Sequence, residues 1–176
     1  EVEATISALW EQSGFLNPDN LPQKTGTPFT ILLPPPNITG SLHMGHALNA
    51  AVSDILVRYH RMRGYAAVWL SGTDHAGIAA QNVVEKELKK EDSSRFKIGR
   101  EAFIARVWEW KQKYGDIITG QLKTLGASCD WSRSRFTMDS EYAMAVRDAF
   151  IHYNEKGLLY RAHRTINWCV RCGTGI

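Results

Sequence analysis

The sequence predicts an α/β protein whose core is a parallel sheet flanked by helices. Two compact apolar runs, Phe29 to Leu33 and Ala66 to Leu70, do not alternate with polar residues. Strands buried on both faces, as in a parallel sheet, read this way. Between and after them lie segments with helical spacing. Strand, helix, strand, helix is the unit of a parallel α/β sheet, and its crossover is expected to be right-handed.

Residues 2–13 carry Ile6, Leu9 and Trp10 at helical spacing and predict a short leading helix. Gly14, Asn17, Pro18 and Pro22 then mark a long loop. The run at Phe29 is closed by Pro34, Pro35 and Pro36, because proline cannot donate to a sheet ladder. A helix is expected over about His43 to Met62, with its apolar face at Leu48, Val52, Ile55, Leu56 and Tyr59. Arg61 and Arg63 suit its negative end, and Gly64 is placed to cap it. The second strand gives way to Ser71-Gly72-Thr73-Asp74, read as turn and helix start, and a helix follows over about Ala76 to Lys90. A long helix is expected over roughly Gly99 to Leu125, with Gly115 and Gly120 as possible bends. Another helix spans 140–156 and stops at Gly157, and His163 to Trp168 is read as a third strand.

Composition sets the outer bounds. A chain of 176 residues with 44% hydrophobic content has material for one real core. Charged residues at 22% argue against disorder. No apolar run approaches the roughly 18–20 residues of a membrane helix. No export signal is visible, and the missing initiator Met suggests that Glu1 is a trimmed start. Net charge of +3 permits an anionic partner without demanding one. Three cysteines do not make a disulfide framework. Cys169 and Cys172 form a CxxC that points to metal or redox chemistry, whereas Cys129 reads as a buried small hydrophobe.

The stretch Pro34 to Ala47 carries the chemistry. A strand ends, a turn containing Gly40 follows, and a helix begins with His43 and His46. Residues three apart share a helix face, so the two imidazoles can point together. A helix start offers free N–H groups and partial positive charge, which suit phosphate. Gly45 removes a side chain where a flat group could lie against the backbone. A His-x-Gly-His tetrapeptide by itself fits two surface histidines equally well; the strand–turn–helix setting after the proline run favours phosphate.

The stretch resembles the His-x-Gly-His signature of class I aminoacyl-tRNA synthetases, with Met44 in the variable second place. Pro34-Pro35-Pro36-Asn37-Ile38-Thr39-Gly40-Ser41-Leu42 resembles the valyl branch in particular. Gly72-Thr73-Asp74-His75-Ala76-Gly77 also resembles the valyl form, with Thr73 where isoleucyl and leucyl relatives carry Trp. Leu125 to Ser132, Arg135 to Asp139 and Asn167 to Thr174 are similar to the family too, and Ala80 stands where Thr is expected. The resemblance covers about residue 28 to the end. It implies the first half of a Rossmann-like (HUP-type) sheet, with a lead-in over 1–27, the half-domain over 28–168, and the start of a zinc knuckle and editing insertion over 169–176.

What the resemblance implies about function is specific. ATP with Mg²⁺ and L-valine are the substrates, and tRNA(Val) receives the valyl group. His43 and His46 are the catalytic donors to the triphosphate. Gly45, Asn37 and Thr39 join them in binding ATP. Pro36, Asn37 and Asp74 hold the amino acid, although Asp74 alone fits a helix cap equally well. Cys169 and Cys172 are half of a Zn²⁺ site, with His163 a weak third ligand and the partner pair later in the chain. The class's second, lysine-bearing signature is absent, so an exposed sheet edge, weak ATP binding and little turnover are expected of this chain alone. A cytoplasmic monomer is implied. An isoleucyl enzyme, a small nucleotidyltransferase and a non-catalytic nucleotide- or RNA-binding module remain the alternatives.

Overall fold

The protein is described by a computed structural model covering residues 2–21 and 26–175; the turn expected at Pro22 lies outside the described residues. The chain divides into two compact units, Glu1–Thr137 and Met138–Ile176.

The first unit opens with helix α1, Val2–Ser13, and a single 3-10 turn at Pro18–Asn20. Strand β1, Pro28–Leu32, leads to helix α2, Met44–Met62. Strand β2, Ala66–Thr73, is followed by helices α3, Ile78–Lys90, and α4, Arg95–Thr124, and by strand β3, Asp130–Phe136. The three strands form one parallel sheet in the order β1-β2-β3. The expected parallel α/β class is therefore what the chain adopts. Each outer strand has one edge with no partner strand among the described residues, as anticipated for at least one edge.

Strand β2 is the centre. Ala67, Val68 and Trp69 are buried in succession, which a central strand with layers on both faces requires. The core gathers Ala67 and Trp69 with Ala50 and Val57 of α2, Ile118 and Leu122 of α4, and Cys129 ahead of β3. Burial pushes the Cys129 thiol up to about 12, with Asp54 adding to the rise, so this cysteine is inert packing material.

Several expectations need correction. β1 is not buried on both faces: exposure alternates along it and Leu32 is 68% exposed, because β1 is an outer strand. β2 runs on through Ser71, Gly72 and Thr73, where a turn was expected, because Gly72 and Thr73 pair with Arg135 and Phe136 of β3. The third strand is β3, not His163 to Trp168. Its sequence, Asp-Trp-Ser-Arg-Ser-Arg-Phe, has too little apolar character to announce itself. In α4 the non-helical residue is Gly99, with φ 81°, rather than Gly115 or Gly120.

The face of α2 also differs from expectation. Leu48, Val52, Ile55, Leu56 and Tyr59 are exposed. The inward side holds Ala50 and Val57 together with a polar network on Asp54, Arg58 and Arg61. Asp54 accepts from the Ser128 amide (2.9 Å), the Ser128 hydroxyl (2.6 Å) and Arg58. The Ser128 hydroxyl in turn accepts from Arg61 (2.6 Å), and Arg58 donates to the Gly126 carbonyl (2.8 Å). This network fastens α2 to the segment entering β3. Apart from the buried Arg61 Nε, which has no hydrogen-bond partner among the described residues, the donors and acceptors bond to one another or to nearby backbone, so charges can occupy a core-facing side. At the other end of α2 the expected glycine cap is present. Gly64 has φ 80°, and the bonds Gly64 N–H to Arg61 O and Tyr65 N–H to His60 O close the last turn.

Gly72 matters because β3 passes so close. A Cβ at Gly72 would stand 2.5 Å from the Arg135 carbonyl oxygen. Gly72→Ala is expected to lower stability by about 1–3 kcal/mol, the usual cost of overpacking, since backbone must move to relieve the clash. Urea unfolding of the two proteins checks this; equal midpoints would contradict the close approach.

The second unit is described by itself. Helix α5, Ser140–Glu155, starts on Asp139, whose carboxylate accepts from the Tyr142 amide (2.7 Å). Gly157, with φ 69°, ends it as expected. Strands β4, Trp168–Cys169, and β5, Thr174–Gly175, form an antiparallel hairpin around the CxxC.

Candidate active site at the carboxyl edge of the sheet

Beyond the strand ends, β1 and β2 keep pairing. Leu33 N–H donates to the Leu70 carbonyl (2.9 Å). The three prolines interrupt the ladder, and it then resumes as a bridge between Asn37 and Asp74. Asp74 N–H donates to the Pro36 carbonyl (2.8 Å), and Ile38 N–H donates to the Asp74 carbonyl (3.1 Å). Pro36, Asn37 and Asp74, three residues singled out in the sequence, are therefore backbone neighbours. Pro36 is buried, Asn37 exposed and Thr39 half-buried. The Pro36 oxygen has accepted one bond and retains a second lone pair.

The turn that follows is held from behind by α4. Ile38 is 1% exposed and anchors the turn in the core. Its carbonyl accepts from the Trp110 indole (2.7 Å), and the Leu42 amide donates to the Gln121 side chain (2.8 Å). Neither residue draws a role in the site from the sequence; there Trp110 is only one of the apolar positions of the long helix. The available signal was Gln121, a polar residue in register with the apolar stripe of Trp110, Tyr114 and Ile117.

His43 and His46 meet at the start of α2. His43 is the N-cap, and its Nδ1 accepts from the Gly45 amide (3.1 Å). His46 reciprocates, its Nδ1 accepting from the His43 amide (3.2 Å). The rings lie 4.0 Å apart, centroid to centroid. This is a capping box built from two histidines. It also fixes their chemistry: an Nδ1 that accepts carries no proton, so each neutral ring carries it on Nε2. Two N–H donors thus face away from the helix, at the end where its dipole favours anions.

Gly45 has a local reason to be glycine. A Cβ there would stand 2.9 Å from Cε1 of the His43 ring.

Burial holds the His46 imidazole below the ordinary histidine range, and His43 adds to the effect. The folded chain therefore binds this proton less readily than the unfolded chain does. Stability from this group is present above the unfolded value of about 6.5 and is lost as pH falls through it towards the lower folded value. Protonation at Nδ1 also destroys the acceptor for the His43 amide. Protection of that amide against hydrogen exchange, corrected for intrinsic rate, is expected to fall as the pH drops below about 6.5. Constant protection through that drop would show that His46 does not hold the cap.

Asp74 is not the cap of α3. That helix begins at Gly77 with no side-chain cap, after Ala76 and Gly77 both take positive φ (55° and 44°). Instead Asp74 Oδ1 accepts from the Ala76 amide (3.1 Å) and from the hydroxyl of Thr137 (3.2 Å), a residue that the sequence reading places in a family-like stretch without giving it a role.

Cys169 and Cys172 lie in the second unit. The Cys172 amide donates to the Cys169 sulfur (3.4 Å), and this contact leads the causes that hold the Cys169 thiol below its usual value. A thiolate so stabilised is chemically suited to a soft metal. Among the described residues, however, no third His, Cys, Asp or Glu gathers with the pair, His163 included. The described residues alone do not make a closed four-ligand zinc centre.

The family described as tRNA synthetases class I (I, L, M and V) matches residues 5–176. A valine–tRNA ligase of Geobacter sulfurreducens is 57% identical over 99% of this chain and 20% of its own length. One from Thermus thermophilus is 55% identical over 97% of the chain and 20% of its own length. A chloroplastic/mitochondrial valine–tRNA ligase of Arabidopsis thaliana is 52% identical over 99% of the chain and 18% of its own length. The chain thus spans about a fifth of these relatives. In fold it resembles the leucyl enzyme in a solved LeuRS–tRNA–LeuAMS ternary complex from Agrobacterium radiobacter K84, with TM-score 0.72 at 24% identity over 93% of this chain and 19% of that one. No helix among the described residues is long and apolar enough to cross a membrane. The family match runs through the histidine pair, the Asn37–Asp74 bridge and the CxxC alike, and the chain belongs to the class I tRNA synthetases of the I, L, M and V group.

Proposed function

We propose that this chain is the ATP- and amino-acid-binding portion of a valine–tRNA ligase. The observation that carries the reading is identity above 50% to several proteins of that name, over 97–100% of this chain. In the activation step the valine carboxylate attacks the α-phosphate of Mg²⁺-bound ATP, forming valyl-adenylate as pyrophosphate leaves. The carboxylate is already ionised at neutral pH, so no general base is assigned. His43 and His46 donate from Nε2 to the phosphate oxygens as their charge shifts. Gly45, Asn37 and Thr39 line the nucleotide. Asp74 takes the valine ammonium in a charge-assisted contact, with the second lone pair of the Pro36 carbonyl and the Asn37 side chain beside it. Transfer of valine to the terminal adenosine of tRNA(Val) follows.

Cys169 and Cys172 are proposed as two of four zinc ligands, completed by a second pair elsewhere in the parent protein. A cytoplasmic monomer is the proposed working state. Valine-dependent ATP–pyrophosphate exchange by the full-length protein tests the reading. Exchange supported by valine well above isoleucine is expected; preference for isoleucine, or no exchange with either, would overturn it. The 176-residue chain by itself is expected to bind ATP weakly and to show little exchange.

A further inference from the structure

We propose that Thr137 is a positioning residue for amino-acid binding, its hydroxyl aiming the Asp74 carboxylate at the substrate ammonium. The proposal rests on the reading of Asp74 given above. Thr137 lies just past β3, and its own amide donates to the Thr73 carbonyl (3.1 Å), so sheet pairing fixes where its hydroxyl stands. That oxygen lies 2.9 Å from the His75 amide, 2.6 Å from His75 Nδ1 and 3.2 Å from Asp74 Oδ1. One hydroxyl thus joins three groups of the candidate site.

Proton accounting decides the directions. A hydroxyl has one proton to donate and two lone pairs. The His75 amide can only donate, so it occupies one lone pair. If the Thr137 proton goes to Asp74, His75 Nδ1 must carry a proton and donate to the second lone pair. All three contacts are then satisfied. If His75 Nδ1 were bare, it would take the hydroxyl proton, and the 3.2 Å contact to Asp74 would be left without a hydrogen. The first arrangement gives His75 the opposite tautomer to His43 and His46.

The consequence falls on Asp74. Its Oδ1 accepts from Thr137 and from the Ala76 amide (3.1 Å), and lies 3.3 Å from His75 Nδ1. Every one of these contacts is on the same oxygen. Among the described residues no donor meets Oδ2, which leaves that oxygen for an incoming ammonium. The side chain is 35% exposed, so the open oxygen is reachable. Without the hydroxyl, the carboxylate keeps its charge but loses a bond that fixes its rotation.

Two measurements test this. In the full-length ligase, Thr137→Val is expected to raise KM for valine about 10- to 100-fold, the range for losing a hydrogen bond to a charged group. KM for ATP should stay put, kcat should change less than KM for valine, and Thr137→Ser should recover most of the loss. Asp74→Asn serves as the reference. A large rise in valine KM for Asp74→Asn with none for Thr137→Val would overturn the positioning role and spare Asp74. An unchanged valine KM for Asp74→Asn would instead overturn the Asp74 reading. Independently of folding in the variants, ¹⁵N chemical shifts of the wild-type 176-residue chain at about pH 8, above the ordinary histidine range, should show His75 protonated at Nδ1. Protonation at Nε2 alone would contradict the proposed hydrogen-bond directions.

Discussion

Replacing His46 by alanine is expected to slow valyl-adenylate formation by about 10²–10³, the loss typical of removing one preorganised donor from a charge-stabilising site. The argument has two parts. His46 supplies an Nε2–H donor that exists as such only because its Nδ1 is occupied by the His43 amide (3.2 Å). The same bond is half of the capping box, so the substitution also releases the first turn of α2. Loss of a cap costs about 1 kcal/mol of stability, too little to unfold a domain. Rate and stability should therefore separate. Single-turnover adenylate formation by the full-length enzyme, beside its thermal melt, makes the comparison. A rate loss no larger than the cap loss would remove His46 from the chemistry and leave it a structural cap.

Trp69→Ala should have the largest effect on stability, about 3–5 kcal/mol, the range for emptying a large aromatic site. Trp69 is fully buried in the middle of β2 and packs in the cluster that joins α2, α4 and the entry to β3. Few domains hold more than 5–15 kcal/mol in total, so the variant should be close to unfolding at ordinary temperature. Trp69→Phe offers a sharper control. The indole N–H of Trp69 has no hydrogen-bond partner among the described residues. Removing an unpaired buried donor offsets part of the lost packing, so the phenylalanine variant should lose far less. Denaturant midpoints of the 176-residue protein test both, and equal losses for the two variants would contradict the account.

The site was more legible in the sequence than the packing around it. His43 and His46 stand close in sequence, and i,i+3 spacing on a helix start suffices to bring them together. Gly64 and Gly157 ended their helices as read, because a left-handed cap is a local requirement. Distant partners were not legible. Thr137 reaches residues more than sixty positions earlier, and Trp110 and Gln121 bridge more than seventy. Nothing local marks such pairs, since each depends on where the sheet places β3 and α4. The misread face of α2 has the same origin. Apolar spacing pointed to Leu48, Val52 and Ile55, but Ala50 and Val57 enter the core and Asp54 bonds to Ser128 ahead of β3. The hydrogen bonds that join Asp54, Arg58, Arg61 and Ser128 let a charged face be the inward one.

By itself, then, the sequence determined the parallel α/β class, the glycine-capped ends of α2 and α5, the histidine pair and the family to which the chain belongs. Those rest on short-range sterics, on periodicity and on motifs contiguous in the chain. Only the tertiary structure decided that β2 continues to Thr73, that β3 is the third strand, and that Pro36, Asn37, Asp74 and Thr137 meet at one edge. Strand pairing made those choices. Backbone N–H and carbonyl groups must find partners wherever the chain is buried, and the partner that was free lay far away in sequence.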